Sequence, residues 1–313
     1  MYCLGLGAKR RSSDREITVQ KKQLYGHLLA FSAIFIWGTT LASTKVLLRH
    51  FSPEEIIVYR FALAYGLLLL LCRDKIGWAG WRDELLFCGL GVTGVTLYFW
   101  TENAALKYTL SANVGMIVSA IPILTAMLAH YTTHDEKFRP NLLLGFVVAM
   151  AGIGLIIYNG QRLQLNPLGD ILALGSALFF TLYNILIRKA PSGYGRIVMV
   201  RKTFFWGWIA SFPIWLLTGG ELAPLADFSF DAVANLVYLA TFASVLGYGM
   251  WNKAIEIIGA VRTSNYIYLM PLFTMIAAVL VLDERITPLM LAGGALILLG
   301  VYVNEHRSFR PVS

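Results

Sequence analysis

Long apolar runs separated by short charged segments limit what this chain can fold into. A helix needs about 20 apolar residues to cross a bilayer. The sequence has ten runs of roughly this length, at about 24–48, 55–73, 83–106, 110–131, 139–159, 168–189, 194–218, 232–257, 260–281 and 286–304. Only 14% of the residues are charged, whereas soluble domains carry about 25%. The pattern therefore predicts an all-α integral membrane protein with ten transmembrane helices.

The basic residues predict how these helices are oriented in the bilayer. If the N-terminus is cytoplasmic, 17 of the 26 lysine and arginine residues lie in cytoplasmic segments and four in outer loops. This agrees with the positive-inside rule and predicts a multi-pass protein of the cytoplasmic (inner) membrane with both termini cytoplasmic. Residues 1–23 are a basic tail, expected to be disordered, and residues 305–313 are a C-terminal tail. Topology explains the net charge of +8, so no nucleic acid partner is expected.

The chain contains a weak internal repeat. A shift of 149 positions places Asn103 on Asn252 and Pro122 on Pro271. In both copies the proline follows the asparagine by 19 residues and lies inside an apolar run. The repeat predicts two halves of five helices each, at 24–159 and 168–304. Because five is odd, the second half would cross the membrane in the opposite direction, which makes the two halves inverted repeats.

The two prolines predict broken helices at equivalent places. A proline inside a helix lacks the N–H donor and frees a carbonyl one turn earlier, here near Val118 and near Ile267. Paired breaks in the two halves of a membrane protein are typical of transporters whose substrate site lies between the halves. We therefore expect Pro122 and Pro271 to bend their helices beside a central binding site.

Motifs in both halves resemble those of the drug/metabolite transporter superfamily, specifically its ten-span members with two EamA-type domains. In the first half they are Trp37-Gly38-Thr39-Thr40, Lys45, Tyr59-Arg60-Phe61, Asn103-Ala104-Ala105-Leu106, Pro122 and Asp135-Glu136. In the second half they are Tyr183-Asn184, Arg201, Trp251-Asn252-Lys253-Ala254-Ile255, Pro271 and Asp283-Glu284-Arg285. The resemblance covers residues from about 26 to 304. It implies an alternating-access carrier, commonly an exporter of amino acids or other small metabolites.

Polar and aromatic residues at helical spacing within the apolar runs are the candidates for lining a solute cavity. Polar atoms are costly where they face lipid, so these side chains are expected to point toward the interior of the bundle. The candidate solute-binding residues are Trp37, Thr40, Tyr98, Asn103, Ser119, Tyr183, Asn184, Tyr248, Asn252 and Tyr268. For any single serine or glycine, close packing between helices explains the residue equally well.

Glu102 is the only carboxylate well inside a predicted transmembrane helix. Ionisable groups inside transporters often exchange protons during the transport cycle, which makes Glu102 a candidate for proton coupling. The alternative is a structural role. Glu102 lies near the outer end of its helix, where the carboxylate could reach interfacial water or pair with Lys107.

Other functions find less support. The sequence has no glycine-rich phosphate loop, no G-x-S-x-G motif and no catalytic triad, so we expect neither an enzyme nor a cofactor or metal site. The expected partners are a small-molecule solute and the lipid bilayer. A flippase or scramblase for a lipid-linked sugar is the alternative function.

Small residues at helical spacing form seams that would pack helices within the chain or join two chains as a homodimer. The members of these seams are Gly145, Ala149, Gly152, Gly293, Gly294 and Gly300.

Overall fold

Helices form all the regular structure of the described residues. The structure is a computed structural model that describes residues 4–71, 77–109, 111–133, 138–158, 166–190, 193–221, 223–224, 227–273 and 287–306. The helices of the first half are α1 (Leu4–Trp37), α2 (Thr40–Leu47), α3 (Pro53–Leu71), α4 (Trp81–Gly91), α5 (Tyr98–Tyr108), α6 (Ser111–Val118), α7 (Ile121–Thr132) and α8 (Pro140–Tyr158).

The second half has a corresponding order of elements. Its helices are α9 (Pro167–Leu186), α10 (Arg196–Leu217), α11 (Phe230–Tyr238), α12 (Gly247–Ile258), α13 (Ala260–Asn265) and α14 (Pro288–His306). Short 3-10 turns follow α9 at Ile187–Lys189 and α13 at Tyr266–Leu269. Two of the motifs that carry the family resemblance lie outside the described residues: Asp135-Glu136 and Asp283-Glu284-Arg285.

The outer surface of the bundle is apolar. Large side chains such as Leu70, Leu217 and Phe230 are 76%, 88% and 86% exposed, and a surface of this kind is suited to lipid. By length and composition alone, five described helical stretches can cross a membrane: Gln20–Leu47, Trp81–Tyr108, Asn113–Thr132, Pro167–Lys189 and Phe230–Ile258. The prediction of an all-α membrane protein is confirmed.

The basic N-terminal segment is helical. Helix α1 begins at Leu4 and continues through the first apolar run to Trp37, so the expectation of a disordered tail over residues 1–23 is wrong for residues 4–23. The segment contains no proline, and no helix-stop signal separates it from the apolar run. The basic residues therefore extend the first helix.

Both halves are interrupted at equivalent positions. A π-helical stretch lies between α4 and α5 in the first half, at Val92–Leu97, and between α11 and α12 in the second half, at Leu239–Leu246. The two stretches end 149 residues apart, which is the shift that aligns the sequence repeat. Such π-helical stretches are uncommon and often mark functional sites.

The two prolines also follow equivalent breaks. Pro122 lies in the first turn of α7, directly after an interruption at residues 119–120. Pro271 is the second residue of a helical stretch at 270–273 that follows the 3-10 turn at Tyr266–Leu269. A proline is well tolerated in a first helical turn because an N–H group at that position would have no acceptor within the helix. The prolines thus begin new helices, which corrects the expectation that they bend continuous ones.

Helices of one half pack against helices of the other. The principal cross-half pairs are α1 with α12, α3 with α10, α5 with α9, α7 with α13 and α8 with α14. A methyl group added at Gly152 of α8 would lie 2.5 Å from the carbonyl oxygen of Gly293 on α14. One added at Gly300 would lie 2.7 Å from the carbonyl oxygen of Gly145. The small-residue seams therefore join the two halves within one chain and are not free to join two chains.

Candidate functional site

A capping box fixes the start of α3. The Ser52 N–H donates to Oε2 of Glu55 at 2.7 Å, and the Glu55 N–H donates to the Ser52 hydroxyl at 3.2 Å. This reciprocal pair satisfies N–H groups that have no partner inside the helix. Two turns beyond Pro53, the same helix carries Arg60, whose side chain is buried in the bundle.

Arg60 has specific partners in both halves. Its Nε donates to the hydroxyl of Ser244, in the second π-helical stretch, at 2.8 Å. Its guanidinium carbon lies 4.2 Å from the centre of the Phe99 ring, a distance at which the ring face attracts a cation. A buried charge inside a membrane protein is costly and is a marker of function, so Arg60 is a candidate site residue.

Glu102, like Arg60, is buried inside the bundle. The side chain is 5% exposed, and its Oε1 accepts a hydrogen bond from the Tyr98 hydroxyl at 2.7 Å. Lys107, the alternative partner expected from the sequence, is exposed. Tyr98 and Glu102 are four residues apart, which places both side chains on one face of α5. This face is the one that lines the cavity between the halves.

The cavity takes its lining from both halves of the chain. Residues of the first half and of the second half meet there: Trp37, Thr40, Arg60, Tyr98, Phe99, Glu102, Phe180, Tyr248 and Met270. Two of these side chains are charged and five are aromatic. A site with apolar walls and a few convergent polar groups is the usual form of a small-molecule site.

The cavity is narrow in this structure. Only about 20 Å³ of it can be occupied by the centre of a water molecule, which is about the space that one water needs. The aromatic side chains fill the rest: the ring centres of Tyr98 and Phe180 are 4.8 Å apart, and those of Trp37 and Tyr248 are 5.6 Å apart. A metabolite can enter only after these rings have moved apart.

The π-helical stretches hold two of these aromatic side chains. The indole N–H of Trp37 donates to the carbonyl oxygen of Ala243 at 2.9 Å, and the Tyr248 hydroxyl donates to the carbonyl oxygen of Gly94. Gly94 and Ala243 are equivalent positions, 149 residues apart. Each bond links one half to the other, so the widened helical stretches provide matching anchor points on both sides of the cavity.

The structure brings together some of the predicted site residues. Trp37, Thr40, Tyr98, Tyr248 and Glu102 all line the cavity. Four residues that line it are not among the candidate solute-binding residues named from the sequence: Arg60, Phe99, Phe180 and Met270. Arg60 gave the clearest signal, because it is a charged residue within an apolar run.

Two of the other predicted residues are occupied by backbone contacts. The Asn103 side-chain amide donates to the carbonyl oxygen of Pro53 at 3.3 Å, and the Ser119 hydroxyl donates to the carbonyl oxygen of Gly115 at 2.7 Å. The first bond joins α5 to α3, and the second lies within the interrupted helix. Neither side chain lines the cavity.

The remaining predicted residues form pairs behind the cavity wall. The Tyr183 hydroxyl donates to Oδ1 of Asn252 at 2.6 Å, and the indole N–H of Trp251 donates to Oδ1 of Asn184 at 2.9 Å. Tyr268 is also fully buried. These polar groups tie α9 to α12 and support the aromatic wall from behind.

An ionic network joins α4 to α10 beyond one end of the cavity. Lys202 Nζ donates to Oε1 of Glu84 and, at 3.2 Å, to the carbonyl oxygen of Gly77. The indole N–H of Trp206 donates to the other carboxylate oxygen of Glu84 at 2.8 Å, and the Ala79 N–H donates to Oε1 at 3.0 Å. The Glu84 carboxylate is thus held by two neutral donors in addition to the ammonium group of Lys202, which is the condition for a favourable buried ion pair.

Comparisons with known proteins agree with a function in transport. The EamA-like transporter family matches residues 24–158 and 167–304. An uncharacterized transporter of Archaeoglobus fulgidus is 28% identical over 286 residues, covering 90% of this chain and 97% of that protein. A probable amino-acid metabolite efflux pump of Escherichia coli is 26% identical over 288 residues, covering 88% and 93%.

A solved crystal structure shares the fold. Its TM-score is 0.70 at 18% sequence identity, over 91% of this chain and 99% of that chain. Together with the family match, the named relatives confirm the resemblance inferred from the motifs.

Proposed function

The chain belongs to the EamA-like transporter family, and we propose that it exports a small amphipathic metabolite, such as an amino acid, across the cytoplasmic membrane. The family and the relatives support a membrane transporter. The name of the Escherichia coli relative, a probable amino-acid metabolite efflux pump, supports an amino acid as the solute. The alternating-access mechanism rests on the features of the cavity.

The cavity between the halves is the observation that carries this proposal. Trp37, Arg60 and Glu102 reach it from the first half, and Phe180 and Tyr248 from the second. Because the cavity holds about one water in this structure, it must widen to admit a solute, and we infer that the halves separate on one side for entry and on the other for release. A carrier that works in this way has its site at the interface of its repeats.

We infer that the two halves are inverted repeats and that the chain crosses the membrane ten times. The matching π-helical stretches, the matching proline positions and the cross-half helix pairs support a pseudo-two-fold relation between the halves. In such a relation, α1 packs on α12 as α9 packs on α5. The distribution of basic residues supports cytoplasmic termini.

Proton coupling through Glu102 gives the proposed function its first test. In proteoliposomes that exchange radiolabelled amino acids, an imposed pH gradient is expected to speed exchange by the wild-type protein several-fold. The Glu102→Gln variant keeps the shape of the side chain and its bond to Tyr98 but cannot release a proton. Its remaining exchange, however slow, is expected to be the same with and without the gradient.

The controls separate the carrier from other functions. Lys45→Gln, a charge change in α2 away from the cavity lining, should keep the response to the gradient. If wild-type exchange ignored the gradient, Glu102 would not be a coupling site and the solute gradient alone would drive transport. Movement of a fluorescent lipid-linked sugar between leaflets, with no exchange of any amino acid, would replace the proposed function with that of a flippase.

A further inference from the structure

The central cavity contains one basic and one acidic side chain, and both are bonded to neutral hydroxyl groups. Arg60 donates through Nε to Ser244 at 2.8 Å, and Glu102 accepts from Tyr98 at 2.7 Å. Both charged side chains line the same small space. Among the ion pairs recorded for the described part of the chain, none joins these two residues to each other.

Each charged group keeps capacity for a further partner. A guanidinium has five N–H donors in a planar fork, and an ionised carboxylate can accept about four hydrogen bonds. The bond to Ser244 uses one donor of Arg60, and the bond to Tyr98 uses one acceptor position of Glu102. The remaining donors and acceptors are therefore available to a molecule in the cavity, and these two bonds fix the orientation of both side chains.

The pair of charges selects for the charge pattern of a solute. Buried charges are stable only when they are paired and hydrogen-bonded. A solute with a single charge would pair with one of the two residues and be repelled by the other. A solute with a carboxylate and an ammonium group would satisfy both, and a guanidinium binds a carboxylate through two parallel hydrogen bonds.

We propose that the cavity binds the charged end of a zwitterionic amino acid, with its carboxylate on Arg60 and its ammonium group on Glu102. The assignment rests on the proposed transport function and adds to it the residues that recognise the solute. The amino acid side chain then lies among the rings of Trp37, Phe180 and Tyr248. The Trp37 ring centre lies within 6 Å of the ring centres of Phe180 and Tyr248. These rings must separate to admit the amino acid side chain, which favours an apolar side chain.

The test uses analogues that lack one charge. Proteoliposomes are first assayed for exchange of each of the 20 proteinogenic amino acids, and the best of these is compared with its methyl ester and with its deaminated acid. The wild-type protein should prefer the amino acid to either analogue by at least about tenfold, because each analogue leaves one buried charge unpaired.

Two variants should reverse this preference in opposite directions. Arg60→Gln should lose at least about tenfold of amino acid exchange and should favour the methyl ester, which keeps the ammonium group. Glu102→Gln should lose a similar factor and should favour the deaminated acid, which keeps the carboxylate. A gain for one analogue cannot result from misfolding, so the result remains informative if the variants are less stable. Lys45→Gln is the matched control and should keep the wild-type order.

The outcomes distinguish this inference from the function on which it rests. If the wild-type protein exchanged none of the amino acids, this inference would be wrong, and so would the choice of an amino acid as the solute in the proposed function. If it exchanged an amino acid while both variants kept the wild-type order of the three probes, the carrier would stand and the charged-pair site would not. Preference of the wild-type protein for either analogue over the amino acid would also overturn the inference.

Discussion

Gly152→Leu is expected to destabilise the protein by about 3 kcal/mol, the upper part of the usual range for overpacking, whereas Gly154→Leu should be nearly neutral. A Cβ atom at Gly152 would lie 2.5 Å from the carbonyl oxygen of Gly293 and 2.8 Å from the backbone nitrogen of Ile297. Backbone atoms cannot move aside as a flexible side chain can, so α8 and α14 would have to separate. At Gly154, a Cβ atom would meet nothing within 4 Å.

The two variants form a matched pair because they add the same side chain to the same helix. Titration of the solubilised proteins with a denaturing detergent unfolds them, and the titration curves give the change in the free energy of unfolding for each variant. Equal stability of Gly152→Leu and Gly154→Leu would show that the seam between α8 and α14 does not hold the two halves together. A loss of stability in Gly154→Leu alone would show that α14 packs against the face of α8 that carries Gly154 and not the face that carries Gly152.

The ion pair of Glu84 and Lys202 is expected to show the second large effect. Removal of one partner from a buried ion pair costs roughly 3–5 kcal/mol because the other charge is left uncompensated. The side chains of Lys202 and Glu84 are 10% and 6% exposed, so Glu84→Gln and Lys202→Met should each lower the free energy of unfolding by about 3 kcal/mol. The double variant leaves no unpaired charge and should be more stable than either single one.

A double-mutant cycle measures this coupling directly. The double variant should lose less than about 3 kcal/mol where additivity would give about 6 kcal/mol, a coupling of about 3 kcal/mol or more, at the top of the range found for residues of one network. Asp83→Asn is a suitable control, because Asp83 lies next to Glu84 and accepts its hydrogen bond from Tyr194 and not from Lys202. Additive losses in the cycle would show that the ion pair contributes no coupling energy.

The membrane class and the general place of the site follow from the sequence because they depend on strong, local physical signals. Long apolar runs have few alternatives to spanning helices. Pro122 and Pro271 indicated interruptions, and the structure has a break before each of them. Trp37, Tyr98 and Glu102 lie at the cavity because bulky polar groups inside an apolar run are costly elsewhere.

The pairing of polar side chains could not be predicted, because it depends on contacts between distant parts of the chain. The Tyr183 hydroxyl bonds to Oδ1 of Asn252, and the Trp251 indole N–H bonds to Oδ1 of Asn184, so the side-chain oxygens of two asparagines that looked suited to bind a solute are already occupied. The π-helical stretches have no sequence signature of their own, and they determine which carbonyl groups meet Trp37 and Tyr248. The helical N-terminal segment could be predicted only from the absence of a helix-stop signal. That absence is a weaker indication than the basic charge pattern, which suggested disorder.

Arg60 was visible in the sequence but was used only as part of a motif that resembles the transporter family. Its equivalent in the second half, Arg201, lies on α10 and not among the residues that line the cavity. Which of two related basic residues faces a central cavity depends on the rotation of each helix. Hydropathy alone does not specify that rotation within a helix that is apolar on most sides.

In the proposed topology, exposed residues at the two ends of α10 lie on opposite sides of the membrane. Lys189, before the helix, and Glu221, after it, are both exposed. In a background without Cys3, Cys72 and Cys88, a cysteine at Glu221 should react with a membrane-impermeant thiol reagent only from outside intact cells. A cysteine at Lys189 should react only in inside-out vesicles. The opposite pattern would reverse the proposed orientation.

Thr40→Cys in the same background tests alternating access at the cavity most directly. Thr40 lines the cavity, and its hydroxyl donates to the carbonyl oxygen of Trp37 at the end of α1, a local backbone contact, so cysteine is a mild change there. If the cavity opens in turn to each side, this cysteine reacts from outside intact cells and also in inside-out vesicles, and a transported amino acid changes both rates. Reaction from one side only, at rates that no solute alters, would contradict a carrier that works through this cavity.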